Sequence, residues 1–169
     1  GMIEIEERDV AGRLTKLTQE ADHIKRIKTY HLYQNGKWLE VESQALRAGV
    51  LEETSKVLQC LDEKQRVIID ISAAGYVVKH RYLDKVRCKI STRFATKINS
   101  AAIYSTSFSH YFGIGEAEPS VALLESTLKP TVNDREAMCF YTVDEKPQYE
   151  IDPEDYITEY RYDSLGREL

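Results

Sequence analysis

"QRVIIDISAAGYVVKHR", residues 65–81, is the stretch on which the predicted fold depends. Residues 66–72 form a short and almost continuously apolar run, which is typical of a strand that is buried on both faces. "AAG" at residues 73–75 ends this strand, because it interrupts the apolar run and supplies a glycine for a turn. A strand of this kind favours a mainly parallel sheet with helices packed on its faces.

Periodicity and turn residues predict the elements around this strand. Asn35-Gly36 separates two β-rich runs and predicts a hairpin, because both residues tolerate positive φ. Elsewhere, apolar residues at three- and four-residue spacing predict amphipathic helices. The predicted helices cover residues 3–24, 43–64, 80–98 and 119–129, and the predicted strands cover residues 28–34, 37–42, 66–72, 100–107 and 137–143.

This order of elements predicts an α/β fold. We expect a mixed, mainly parallel sheet of about five strands, opened by a hairpin and covered by packed helices. Residues 1–143 would form a single α/β domain, with an N-terminal helix at 3–24 and a core at 28–143. Residues 144–169 are predicted to form an acidic, tyrosine-rich C-terminal tail, either disordered or docked. No internal repeat is apparent.

Composition indicates a globular protein of the cytoplasm. Apolar residues make up 42% of the chain and charged residues 30%, and no apolar run is long enough for a transmembrane helix. "MIEIEERDV" has no apolar core, so no signal peptide is expected. Cys60, Cys88 and Cys139 form no CxxC pair, which favours a reducing compartment over a disulfide scaffold or a zinc site.

Charge is distributed unevenly along the chain, whose net charge is −5. Residues 79–97 contain seven lysines and arginines and one acid, whereas residues 144–169 contain nine acids and three bases. The two segments would pair with each other or each would serve a partner. Contact with a ligand or partner is predicted for Lys79, Arg81, Arg87, Arg93 and Lys97. Nucleic acid is not the expected partner, because the whole chain is acidic and lacks a recognisable reading module.

Catalytic motifs are missing from the sequence. It has no phosphate-binding GxxxxGK[ST], no GxGxxG, no GxSxG and no HExxH. No two histidines share a short metal-ligand spacing, so neither a metal nor a cofactor is expected. Asp70 lies near the end of one predicted strand, and Ser107 and His110 lie near the end of the next. If these strands were neighbours, the three side chains would converge for acid–base chemistry; alternatively, Asp70 only caps a turn.

Residues 29–107 resemble a STAS-type domain, the family of anti-sigma-factor antagonists and their relatives. The resemblance lies in the order hairpin, helix, buried strand, helix and strand, and "RVIIDISAAGYV" looks like the family strand that leads into a phosphorylatable-serine loop. The matching region, "VVKHR" at residues 77–81, contains no serine. The resemblance therefore implies a sheet-and-helix module without that phosphorylation switch, which binds a partner protein or a small ligand.

The leading hypothesis is a non-enzymatic, cytoplasmic protein-interaction or regulatory module. It would act on a protein partner or as a homodimer, through residues 76–97 and the acidic tail. The first alternative is an enzyme or small-ligand-binding protein with a polar pocket around Asp70 and His110. The second alternative is nucleic-acid or phosphate binding through the basic segment 79–97.

Overall fold

A computed structural model describes residues 2–33, 36–99, 103–105, 118–119, 124, 128 and 130–169. Within these residues, eleven strands form one antiparallel sheet, and their order in the sheet is their order in the chain. Two short strands, β9 and β10, pair only with each other. The strands are β1 (Ile3–Arg8), β2 (Leu14–Ala21), β3 (Ile24–Tyr33), β4 (Trp38–Arg47), β5 (Val50–Leu61), β6 (Val67–Ile71), β7 (Val77–Leu83), β8 (Cys88–Arg93), β9 (Tyr104–Ser105), β10 (Glu118–Pro119), β11 (Arg135–Tyr141), β12 (Pro147–Ile151) and β13 (Ile157–Glu159).

The predicted α/β fold is wrong. The described residues contain neither a parallel pair nor the predicted helices at 3–24, 43–64 and 80–98, which are β-hairpins instead. Within 43–64, the helical spacing runs across a tight turn at Ala48-Gly49, where φ is +49° and +81°. An α-helix cannot continue through two left-handed residues, and the chain instead reverses so that Arg47 pairs with Val50.

Four of the predicted strands are confirmed. Strands β3 and β4 pair with Tyr33 opposite Trp38, so these two strands form the predicted hairpin. Strand β6 lies within predicted strand 66–72, and β11 overlaps predicted strand 137–143. However, β6 is antiparallel to both of its neighbours. The predicted helix at 119–129 and strand at 100–107 fall largely outside the described residues.

The acidic segment 144–169 extends the main sheet. Strand β12 pairs with β11, and β13 pairs with β12. Tyr162 donates a hydrogen bond of 2.8 Å from its hydroxyl to the carbonyl of Pro147, which ties the last turn to β12. The segment is therefore ordered by strand pairing, and β11 lies between its strands and β8 of the basic segment 79–97. No helix of the described residues is long and apolar enough to cross a membrane.

One five-residue turn recurs along the chain, although no repeat was predicted from the sequence. In each copy, the N–H of the first residue donates to the carbonyl of the fifth, and the N–H of the fourth donates to the carbonyl of the first. The fourth residue has a positive φ, between +60° and +84°. This is a three-residue hairpin loop that closes with a left-handed residue. The copies begin at Asp9, Asp62, Ser72, Thr142, Asp152 and Asp163.

The side chain of the first residue stabilises this turn. In every copy its oxygen accepts a hydrogen bond from the backbone N–H of the fifth residue, at 2.9–3.2 Å. Aspartate, serine and threonine all supply an oxygen at the required distance from their own backbone, so the turn tolerates several sequences. These backbone N–H groups also lower the pKa of Asp9, Asp62 and Asp163.

The hydrophobic core lies on one face of the sheet, between β4 and β7. Trp38, Ile71 and Val77 are fully buried there, and residues that follow β8 pack over them. The N–H of Phe94 donates to the carbonyl of Val77 at 3.0 Å, and that of Ile98 donates to the carbonyl of Gly75 at 2.9 Å. We call the face of the sheet that carries Trp38, Ile71 and Val77 the core face. Because side chains alternate along a strand, the intervening residues point to the other side of the sheet, which we call the opposite face.

Among the glycines that the structure describes, Gly75 should be the one that stability depends on most. Its φ is +84°, and a Cβ at this position would lie 2.1 Å from the carbonyl oxygen of Ile98. Gly12 has a similar φ of +79° in the same kind of turn, but a Cβ there would meet nothing within 4 Å. We expect Gly12→Ala to lower the free energy of unfolding by about 1 kcal/mol and Gly75→Ala by about 3 kcal/mol.

Urea unfolding at equilibrium, followed by tryptophan fluorescence, measures both changes. The matched pair separates backbone strain, which the two variants share, from the contact with Ile98, which only Gly75→Ala disturbs. Equal losses in the two variants would contradict the packing of Ile98 against this turn.

Candidate functional site

Asp70 is the fourth of the five residues of β6, near the end of that strand as the sequence predicted. It points to the opposite face, where it lies across from Gln59 and Val78 in register. Its Oδ1 accepts a hydrogen bond of 3.2 Å from Nε2 of Gln59. Ser107 and His110, which the sequence predicted as its partners, lie outside the described residues. The capping alternative does not apply either, because Ser72 and not Asp70 caps the turn after β6.

A different histidine lies near Asp70. His80 is two residues beyond Val78 on β7 and therefore shares the opposite face with Asp70. Its Nδ1 lies 2.9 Å from Oγ of Ser91, in a hydrogen bond whose donor depends on the tautomer. Burial and the ammonium of Lys89 lower the pKa of His80, while the carboxylate of Asp70 acts against this shift. The three polar residues thus form a row across β6, β7 and β8.

The basic segment 79–97 is a hairpin and not a helix, so its cations are divided between the two faces. Lys79 and Arg81 pair with Thr92 and Ile90 on the core face. Arg93 and Lys97 both stack on the ring of Tyr76, at 5.0 and 4.3 Å from its centroid. The five predicted contact residues therefore do not form one continuous surface.

Arg87 lines a groove of about 690 Å³. The groove lies where three turns meet at one end of the sheet, namely those between β5 and β6, β7 and β8, and β11 and β12. Its polar and aromatic lining is Lys64, Arg66, Tyr82, Asp84, Arg87, Lys89, Tyr141, Thr142 and Glu145. Four of these side chains are cationic and two are carboxylates.

Tyr82 and Arg66 form a fixed wall of the groove. The guanidinium of Arg66 lies 4.1 Å from the centre of the Tyr82 ring, and the Tyr82 hydroxyl donates to the carbonyl of Val67 at 2.9 Å. Burial raises the pKa of Tyr82 and of Tyr141, so both hydroxyls keep their protons near neutral pH. A planar cation stacked on a ring is a recognised arrangement for binding anionic or aromatic groups.

Half of the positive charge of the groove is already neutralised. Asp84 accepts from Lys64 and from Arg66 at 2.7 Å each, and Asp62 accepts from Arg66 at 2.8 Å. Hydrogen bonds from Lys64 and Arg66 lower the pKa of Asp84 accordingly. Among the described residues, no carboxylate lies within ion-pair distance of Arg87 or Lys89. These two cations are therefore available to an anionic ligand.

Of the five predicted contact residues, only Arg87 lines this groove. Lys64 and Arg66 belong to a segment that was predicted to be the end of a helix and the start of a strand. Tyr141 is 59 positions beyond Tyr82 in the chain, and β11 brings it close. The one available signal was the turn motif, since Asp62 and Arg66 repeat the Asp-x-x-x-Arg spacing of Asp9 and Arg13.

No protein-family model matches the chain, and a search of curated proteins finds no match either. The resemblance of residues 29–107 to a STAS-type domain therefore stays a prediction from sequence alone. The α/β order of elements on which it depended is not the order found in the described residues.

The placement of His80 predicts how its pKa responds to its two charged neighbours. We expect a value below the ordinary value of about 6.5 for histidine in the native protein. Asp70→Asn should lower this pKa further, because it removes an attractive charge, whereas Lys89→Met should raise it, because it removes a repulsive one. Titration of the imidazole proton signals by NMR measures both shifts, and opposite signs would contradict the placement of these residues.

The lowered pKa of His80 also predicts a dependence of stability on pH. The unfolded chain binds the imidazole proton at higher pH than the folded chain does, so the free energy of unfolding should fall as the pH drops from about 6.5 towards the folded-state pKa. His80→Gln should reduce this slope. His23→Gln, in an exposed turn, is the matched control.

Proposed function

We propose that this protein is a non-enzymatic protein-interaction module whose groove binds an acidic segment of a partner protein. The observation that carries the proposal is the pair Arg87 and Lys89, two cations without an acidic partner among the described residues, beside the stacked Arg66 and Tyr82. A carboxylate side chain would pair with either cation, and an apolar or aromatic neighbour on the same segment would lie on the tyrosine rings.

The number of available cations in the groove favours an acidic protein segment over nucleic acid. A protein that binds DNA tightly neutralises about 6–10 phosphates, whereas this groove offers two cations that are not already paired. Asp84 and Glu145 line the same groove, and they would repel a continuous polyanion. A protein segment can place its acids near Arg87 and Lys89 and avoid the two carboxylates. The net charge of −5 also works against long-range attraction of nucleic acid.

The polar row around Asp70 supports a binding role better than an enzymatic one. Asp70 and His80 are not among the residues that line the groove. The carboxylate of Asp70 is engaged by Gln59, and the imidazole of His80 by Ser91. A general base needs both a substrate within hydrogen-bond reach and a suitable pKa, and this row lies on a sheet face beside the groove.

We place the module in the cytoplasm. Cys60, Cys88 and Cys139 are all free and buried, and burial raises the pKa of the thiols of Cys60 and Cys88. Thiols of this kind act as small apolar side chains and are kept by proteins of a reducing compartment.

Fluorescence anisotropy with a labelled peptide of alternating glutamate and tyrosine tests the groove. The peptide should bind the wild-type protein, and rising salt should weaken binding through screening. The double variant Arg87→Ala, Lys89→Ala should bind it about tenfold more weakly, equivalent to about 1.4 kcal/mol. The matched control is Arg26→Ala, Lys28→Ala, which removes two cations from β3, away from the groove, and should bind like the wild type.

Two results would contradict this proposal. One is equal weakening in the groove variant and in the β3 control, since that would reflect net charge alone. The other is tighter binding of a labelled oligothymidine than of the acidic peptide, since that would favour nucleic acid.

A further inference from the structure

Hairpin β3–β4 brings three metal-ligating side chains together on the core face. His31 lies directly across from Glu40, and Glu42 is two residues further along β4 on the same face. One ligand atom from each of these side chains lies within 4.8 Å of the other two. The cluster combines one imidazole nitrogen with two carboxylates, which is a donor set that proteins use for zinc and related metals.

Glu40 is the buried member of the cluster. Only 3% of its surface is exposed, and in register it lies beside Leu58 of the hydrophobic core. Burying a carboxylate has a high cost unless opposite charge and hydrogen bonds compensate for it. A cation bound at Glu40 would be held at the margin of the core, where the low local dielectric strengthens the attraction.

Lys56 supplies positive charge to both glutamates. Its Nζ lies 3.3 Å from Oε1 of Glu40 and 3.8 Å from Oε2 of Glu42. Gln44 donates a hydrogen bond of 3.1 Å to Oε1 of Glu42 and orients that carboxylate. Because the Lys56 side chain is 54% exposed, it can turn into solvent when another cation binds.

We propose that His31, Glu40 and Glu42 form a binding site for a divalent transition-metal ion such as zinc. Ligands of a tetrahedral zinc ion lie about 3.3 Å apart at metal–ligand distances of 2.0–2.1 Å. Small side-chain rotations would bring atoms that are within 4.8 Å to that spacing. Three protein ligands leave one coordination position for water or for a ligand.

The chemistry of the donors sets the order of metals. Imidazole favours zinc, copper, nickel and cobalt over manganese, whereas magnesium and calcium prefer sites made of oxygen alone. Zinc should therefore bind more tightly than manganese, and magnesium should not compete. The cluster lies on the core face, and the groove lies at the β5–β6, β7–β8 and β11–β12 turns, so this site does not depend on the function proposed for the groove.

Isothermal titration calorimetry with zinc chloride, on tag-free protein in a non-chelating buffer, tests the site. The wild-type protein should bind one equivalent of zinc. His31→Ala and Glu42→Gln should each weaken binding by about tenfold or more; both residues are only half-buried, and circular dichroism checks that the variants fold. His23→Ala removes an exposed histidine from the neighbouring β2–β3 turn and should leave zinc binding unchanged.

Lys56→Met separates a built site from casual binding to surface acids. If zinc displaces Lys56 from the two glutamates, this variant should bind zinc several-fold more tightly than the wild type. NMR spectra should also show that zinc shifts the ring signals of His31. The proposal is overturned if wild-type protein binds no zinc, if His31→Ala binds zinc as tightly as the wild type does, or if Lys56→Met binds it no better.

Discussion

Two backbone hydrogen bonds, from Phe94 to Val77 and from Ile98 to Gly75, hold the segment that follows β8 alongside the start of β7 and the turn before it. A sheet that is one layer thick leaves both faces in water, and strand pairing alone then buries little apolar surface. The segment that follows β8 contributes Phe94 and Ile98 to the cluster of buried residues that contains Trp38, Ile71 and Val77. This cluster is the most deeply buried part of the described structure. The glycine at position 75 is required because the carbonyl of Ile98 occupies the place of a side chain.

The register of the strands follows from their turns, and both candidate sites follow from the register. In an antiparallel meander every second turn lies at the same end of the sheet. The turns that begin at Asp62 and Thr142 and the turn that contains Asp84 are therefore neighbours, and the groove lies between them. The Asn35-Gly36 hairpin likewise sets His31 across from Glu40. A shift of one residue in the register of any of these hairpins would move the side chains of the shifted strand to the other face of the sheet.

Sequence reasoning succeeded where a local signal determines the structure. Asn35-Gly36 and the apolar run at 66–72 gave correct strands, because positive φ and β-branched residues act locally. It failed where both faces of the sheet are half-exposed. Strands β2–β5 then carry apolar and polar residues on both faces, alternation is lost, and chance spacing such as that in 43–64 looks helical. The repeated turn was missed because aspartate, serine and threonine can each occupy its first position.

The sites differ in how far the sequence could have shown them. A two-residue turn at Asn35-Gly36 would pair residues 34 and 37, and the same register places His31 across from Glu40; the proposed metal site was therefore implied by the predicted hairpin. The sequence did not imply the groove, because Tyr82 and Tyr141 belong to strands that are far apart in the chain. Asp70 attracted attention as the single acid in an apolar run, but alternation along β6 explains it: Asp70 points to the face opposite the core.

Glu40 is the feature that stability alone does not explain. Apart from Thr18, it is the only polar or charged residue that is buried among the described residues. An ion pair between a buried carboxylate and a half-exposed lysine, such as that of Glu40 and Lys56, adds little net stability, and apolar residues of similar size at both positions are often as stable or more so. The neighbouring positions on the core face, Trp38 and Leu58, are apolar, so an apolar side chain would also fit the surroundings of position 40. A carboxylate at this depth, held within reach of His31 and Glu42, is instead what a buried cation site requires, because the cost of burying it is recovered when the ion binds.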